Sequence, residues 1–231
     1  MSLLDFMPED RPRSLGFNQM KQQNKSYAVM AQRHSDPNES RDFFPTPMWA
    51  TRALMEHVIT DHASISQQTV WEPAAGQGHM ARVLSCYFGK TIASDAYDYN
   101  YGSVIDFTAP NTNLGEIDWV ITNPPFKLGA EFILKRLEVA DKGVAMLTRT
   151  VFIEGKKRYK RIFSQTPPTI IAQFAERVPM VEGRVDRYAV SATAYAWLVW
   201  EKEKLGTSRV MWIPPCRKEL EKDIDYKWGT P

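Results

Sequence analysis

The apolar positions change character near residue 41. Before it the chain is polar and barely periodic, and Pro8, Pro12 and Pro37 interrupt it. The run Asn18-Gln19-Met20-Lys21-Gln22-Gln23-Asn24-Lys25 offers no face to bury. Residues 1–40 are therefore expected to form an arm that is flexible in isolation. Phe43-Phe44-Pro45-Thr46-Pro47 is a stiff, extended lead-in to the first helical pattern. Residues 47–62 predict that helix, with Thr46 as its cap and Pro47 at its first position. Ala50, Leu54, Val58 and Ile59 fall on one face of it.

From there strand and helix patterns alternate. A strand at 69–72 runs into Pro73-Ala74-Ala75-Gly76-Gln77-Gly78, and a helix follows at 79–88. Strands at 91–94 and 104–105 end at Asp95 and Asp106. The largely apolar strand 117–122 ends at Asn123-Pro124-Pro125-Phe126. A helix at 129–140, a strand at 143–147, a helix at 156–164 and a strand at 169–174 come next. Two further strands, 189–200 and 209–213, have no helix between them and are expected to pair with each other. This order predicts an α/β fold: a Rossmann-like, mostly parallel seven-stranded sheet with an antiparallel C-terminal edge and helices on both faces. The expected divisions are the arm at 1–40, one main domain at 41–205, and a C-terminal strand and tail at 206–231.

Composition narrows the function classes. With 43% hydrophobic residues the chain can bury one substantial core. The net charge is only +2, so any nucleic-acid signal has to come from local clusters. Cys86 and Cys216 lie far apart and no Cys/His spacing suits zinc, so neither a metal site nor a disulfide framework is expected. That usage is compatible with a reducing, cytoplasmic setting. The first ten residues lack a basic start followed by an apolar run, so no signal peptide is expected. No apolar stretch nears the roughly 20 residues of a membrane span, so no membrane partner is expected.

The candidate chemistry sits at strand ends. Glu72, Asp95, Asp106 and Asn123 each close a predicted strand. In an open parallel sheet those ends line one crevice, where ligands bind. Gly76 and Gly78 follow the first strand, where the chain turns sharply and a ligand can approach bare backbone. Ala81 stands where a dinucleotide fingerprint needs its third glycine, and the Lys-Ser/Thr of a phosphate loop is missing.

Glu72-Pro73-Ala74-Ala75-Gly76-Gln77-Gly78 resembles the cofactor loop of class I S-adenosylmethionine-dependent methyltransferases. Asn123-Pro124-Pro125-Phe126 is similar to the catalytic tetrapeptide of their amino-methyltransferases. Phe44-Pro45-Thr46-Pro47 resembles the upstream segment of DNA N6-adenine methyltransferases. The order of the three motifs also matches, and the resemblance covers about residues 41–202. It implies S-adenosyl-L-methionine as cofactor. On it, the backbone at Pro73, Ala74, Gly76 and Gly78 holds the methionine end, with Glu72 near the ammonium. Asp95 accepts from the ribose hydroxyls, Asp106 and Phe107 meet the adenine, and Phe44, Pro45 and Thr46 close over the methionine carboxylate. Asn123 borders the cofactor and the target.

The tetrapeptide suits a particular difficulty. An exocyclic amine is a poor nucleophile because its lone pair is delocalised into the ring. Two acceptors, the Asn123 side-chain oxygen and the Pro124 carbonyl, localise it by taking hydrogen bonds from its N–H groups. Pro124 and Pro125 stiffen the turn so that the acceptors are in place beforehand. Phe126 offers an extruded base a face for stacking, worth roughly 1–3 kcal/mol. No covalent enzyme intermediate is required, which sets the chain apart from C5-cytosine methyltransferases and their cysteine nucleophile. Pro215-Cys216 matches that family only superficially, and Cys86 is expected to pack on a helix.

An sp² amine does not name its molecule. Arg149, Lys156, Lys157, Arg158, Lys160 and Arg161 gather after a predicted strand end, where cations suit phosphate contacts. Arg184 and Arg187 lie in the loop before the last strands. Arg11, Arg13, Lys21, Lys25, Arg33 and Arg41 stud the arm, which is either a plain tail or one that orders on a nucleic-acid backbone. DNA is the expected partner, with N6 of adenine as target. The alternatives are adenine N6 or guanine N2 in RNA, protein glutamine, and a non-catalytic nucleic-acid-binding subunit. The intervals between motifs hold no separate recognition domain, so specificity is expected to be low or to come from short loops, a partner chain or a homodimer. Trp212 is expected in the core.

Overall fold

A computed structural model describes residues 43–107 and 114–228. The predicted arm and its cations, Arg41 included, lie outside the described residues. The fold is built on an eight-stranded sheet. Its strands are β1 (Thr69–Glu72), β2 (Lys90–Asp95), β3 (Ser103–Val104), β4 (Trp119–Thr122), β5 (Gly143–Arg149), β6 (Ile170–Phe174), β7 (Tyr195–Glu201) and β8 (Arg209–Ile213). Their order is β3-β2-β1-β4-β5-β7-β6-β8. The first five run parallel, and β7 is antiparallel to both β5 and β6.

The helices are α1 (Met48–His57), α2 (His62–Ile65), α3 (His79–Leu84), α4 (Gly129–Val139), α5 (Lys156–Arg158) and α6 (Arg217–Leu220). Side chains on a strand point alternately to its two faces, and the core divides accordingly. Val70, Ile121, Leu147 and Trp197 pack with Trp49 and Leu54 of α1 and Met80 and Leu84 of α3. Trp71, Val120, Met146 and Trp200 pack with Phe132 and Ile133 of α4 on the opposite face. Burial on both faces explains the unbroken apolar run Trp119-Val120-Ile121 in β4. After β1 the chain moves outward to β2 and β3, then returns to form β4 on the other side of β1. The C-terminal ends of β1 and β4 therefore flank a topological switch point.

Several expectations need correction. The sheet has eight strands rather than seven, because β8 joins it beside β6, in parallel, instead of pairing with β7. The penultimate strand begins at Tyr195, not at residue 189. Pro47, not Thr46, occupies the cap of α1, which ends at His57; Asp61 then caps α2 through a 3.2 Å hydrogen bond from the Ser64 N–H. The helix after the glycine turn stops at Leu84. The basic segment is no ordinary helix. A 3₁₀ turn (Thr150–Ile153) leads to α5 and then to a π turn (Tyr159–Phe163). Trp212 is 65% exposed, since β8 is an edge strand that buries Ile213 and leaves Val210 and Trp212 uncovered. Cys86 is exposed just past α3.

Candidate active site

The C-terminal ends of the parallel strands open onto a cavity of about 430 Å³, within the range of small-molecule sites. Its wall gathers Phe44, Pro45 and Thr46, Glu72, Pro73 and Ala74, Asp95, Asp106 and Phe107, and the tetrapeptide Asn123 to Phe126. Five sequence segments thus converge, each delivered by a strand end or by the lead-in to α1.

Gly76 and Gly78 do not reach the wall. They adopt φ of +49° and +81°, which permits the tight turn between β1 and α3. A Cβ on Gly76 would lie 2.4 Å from the Phe43 ring, and one on Gly78 would lie 2.3 Å from the Tyr101 ring. Aromatic rings therefore cover both glycines. Asp95 braces the same turn: it accepts from the Gly76 N–H at 2.9 Å and the Tyr97 N–H at 3.1 Å. The Ala96 N–H adds a third such contact, and the carboxylate, with about four acceptor sites, keeps capacity for a ligand. Burial raises its pKa against the pull of those N–H groups.

Glu72 is 2% exposed, and its Oε2 has no hydrogen-bond partner. Burial, reinforced by the charge of Asp95, holds its pKa well above the carboxylate range, although the Ala81 N–H works the other way. A buried carboxyl with an open acceptor is costly unless something positive arrives beside it. Beyond Asp106, the wall at Phe107 is held from behind. Arg136 of α4 donates to the Phe107 carbonyl at 2.6 Å and stacks on Trp71 at 4.2 Å. Burial pushes that guanidinium down to about 10.

The tetrapeptide faces this carboxylate-lined region across the switch point. Asn123 Nδ2 donates to the Phe44 carbonyl at 3.0 Å. A carbonyl can only accept, so that contact fixes which way round the amide sits. Asn123 Oδ1 is consequently turned elsewhere, and it is buried without a hydrogen-bond partner. Phe126 packs against Phe44 with centroids 5.2 Å apart and planes tilted by 41°. The lead-in segment thus grips both ends of the tetrapeptide.

Sequence reasoning missed Phe43, Tyr97 and Tyr99, which line the cavity; the first and last stack on each other with centroids 4.7 Å apart. The signal was the aromatic run after Asp95. It also missed His79, which lines the cavity beside the glycine turn and whose pKa is lowered by burial.

The basic residues divide in two. Lys156, Lys157 and Lys160 are exposed and have no ion pair among the described residues. The others are engaged. Arg161 pairs with Glu131 at 3.0 Å, Arg184 with Asp186 at 3.1 Å, and Arg187 with Asp223 at 2.5 Å. Arg158 donates to the carbonyls of Phe152 at 2.6 Å and Glu154 at 2.9 Å. Arg149 rests over the Phe126 ring, 4.6 Å from its centroid. The loop carrying Arg184 is tied to the cavity rim, because the Gly183 N–H donates to the Phe43 carbonyl at 2.9 Å. Cys216 is buried, with its thiol pushed up to about 11 by that burial and then by Glu176 and Glu219, and it is not on the cavity wall.

No protein-family model matches the sequence, and no curated protein matches it significantly. Solved structures do. A modification subunit of a candidate type I restriction enzyme from Vibrio vulnificus YJ016 superimposes with a TM-score of 0.50 at 14% identity, over 80% of this chain and 51% of that one. The type I restriction-modification methyltransferase subunit of Streptococcus thermophilus matches at 0.50 and 11%, over 80% and 49%. A candidate RNA methyltransferase from Pyrococcus horikoshii matches at 0.51 and 16%, over 74% and 92%. The chain thus spans about half the length of the two modification subunits.

Proposed function

We propose that this chain, whose fold is that of the class I S-adenosylmethionine-dependent methyltransferases, methylates an exocyclic amino nitrogen of a nucleic-acid base, N6 of adenine in DNA foremost. One observation carries the reading. Asn123 Oδ1 is a buried acceptor without a partner, held in orientation by the Phe44 carbonyl, on the wall of a ligand-sized cavity. Such an acceptor requires a donor that the protein does not supply, and an amino group is one.

The wall fits S-adenosylmethionine. Glu72, with its open Oε2, would meet the ammonium, and the Asp95 carboxylate would take the ribose hydroxyls. Asp106 and Phe107 would border the adenine, and Phe44 to Thr46 would close over the carboxylate. When bound, the cofactor supplies an electrophilic methyl group on a sulfonium. The remaining work falls to the chain. Asn123 accepts one amine N–H, the Pro124 carbonyl is the proposed second acceptor, and the two prolines keep both fixed. Phe126 stacks the base, and Lys156, Lys157 and Lys160 hold phosphates near the same sheet edge. RNA is the second reading, supported by the match to the Pyrococcus horikoshii protein over most of that chain.

Labelled cofactor offered with duplex DNA, structured RNA or bulk protein decides between substrates. Label is expected in DNA, as N6-methyladenine by mass; label only in RNA or only in protein overturns the DNA assignment. Asn123→Ala is expected to lower turnover by about 10²–10³-fold, as for loss of a preorganised hydrogen-bonding group. Its affinity for the cofactor should stay nearly unchanged by calorimetry. Undiminished turnover refutes the role given to Asn123.

A further inference from the structure

Pro124, Pro125 and Phe126 border two adjoining spaces, the large cavity and a smaller one of about 80 Å³ that Thr148, Arg149, Val151, Phe152 and Arg158 also line. Two guanidinium groups border this small space, and they are held differently. Arg158 is tied down by the carbonyls of its own loop. The Arg149 side chain has no hydrogen bond or ion pair among the described residues, and its guanidinium lies on the Phe126 ring. Its backbone cannot follow the side chain: Arg149 ends β5, is paired with Tyr195, and is followed by the Thr150 N–H bonded to the Ala194 carbonyl at 2.9 Å. A fixed backbone therefore carries a side chain that only a cation–π contact retains.

Phe44 packs against the same ring at a 41° tilt, and a flat guest that stacks where the guanidinium lies has to displace it. The space there is far below the roughly 300 Å³ at which small-molecule sites begin. A base enters only when the guanidinium leaves.

We propose that Arg149 is a placeholder for the target base: its planar guanidinium occupies the Phe126 face until a base displaces it, and then turns to the strand's phosphate. The inference rests on the reading of Phe126 as the stacking platform. A guanidinium stacks on aromatic faces as a base does, and its fork of donors matches a phosphate once released. Displacing it opposes base entry, and the phosphate contact offsets the loss. A free nucleoside has no phosphate to offer. Arg149 thereby selects a nucleotide within a strand over the same base alone, which is a specificity device and not a step in methyl transfer.

The test uses adenosine, with the cofactor pocket saturated by S-adenosylhomocysteine, and DNA as the second ligand. Arg149→Ala is expected to bind adenosine roughly three- to tenfold more tightly than wild type, the ratio a lost cation–π competitor gives. The same variant should show a raised KM for DNA and a log K against log salt slope shallower by about 0.9. Arg149→Lys, which keeps the charge without the planar fork, should retain more of the DNA affinity than Arg149→Ala. Opposite signs for nucleoside and strand support the placeholder. Adenosine affinity that is unchanged or weaker in Arg149→Ala, while wild type methylates DNA, overturns it and leaves the proposed function standing. Wild type that neither binds adenosine nor methylates any nucleic acid overturns both.

Discussion

Glu72 shows how a single side chain can be arranged for a ligand at the expense of the empty fold. Its carboxyl is fully enclosed, its Oε2 has no partner, and Asp95 adds negative charge nearby. Burial therefore favours the neutral form, and its pKa in the folded chain lies well above the ordinary 4.5. In the unfolded chain the group ionises at that ordinary value. Its contribution to stability is thus complete below about 4.5 and is lost as pH rises through the folded value. The melting temperature of the cofactor-free protein should fall over that window. Glu72→Gln, which cannot ionise, should flatten the fall; Asp95, shifted the same way, keeps its share, and His79, whose pKa burial lowers, works in the opposite direction. A pH profile identical to wild type would refute this account of Glu72.

At the scale of elements, the C-terminal segment is a brace rather than a tail. Asp225, 1% exposed, receives two hydrogen bonds from Arg52 of α1, at 2.7 and 2.8 Å, and a third from the Lys222 N–H at 3.0 Å. Arg52 also donates to the Leu220 carbonyl at 2.7 Å, at the end of α6. Trp228 continues the contact to α3, where Arg82 lies 4.3 Å from its ring and 4.3 Å from that of Tyr101. Asp225→Ala should lower unfolding stability by about 3–5 kcal/mol, since it strands a buried cation. Arg52→Met with Asp225→Leu should lose much less, and urea unfolding of the three proteins measures the difference. Equal losses in the single and double variants would count against a desolvation cost. None of this was legible in the sequence, because contacts between polar residues more than 160 positions apart leave no period to find. What was legible had a period or a fixed motif. The apolar runs located the strands, and strand ends in a parallel sheet necessarily share an edge, so Glu72, Asp95, Asp106 and Asn123 could be placed together. Trp212 misled for the converse reason: alternation marks a strand but does not tell which face its neighbours leave bare.

At the scale of the whole molecule, a net charge of +2 hides an uneven distribution. The loop after β5 holds Lys156, Lys157 and Lys160, exposed and without ion pairs among the described residues. That loop meets the tetrapeptide at the small cavity, through Val151, Phe152 and Arg158. Three cations without ion pairs among the described residues therefore cluster on the loop that borders the proposed reacting centre, while Arg161, Arg184 and Arg187 have acidic partners. If these lysines contact phosphates, each releases counterions on binding, and affinity for duplex DNA should fall with salt by about 0.9 logarithmic units per contact. Replacing all three by glutamine should make the slope shallower by about 2.7, the sum of three such contributions. Cofactor affinity should not change, because none of the three lines the main cavity. Titration of a fluorescent duplex across a salt series gives the slope directly. A slope that survives the triple substitution would move the strand to another face of the molecule, and with it the basis for placing phosphates at the end of β5.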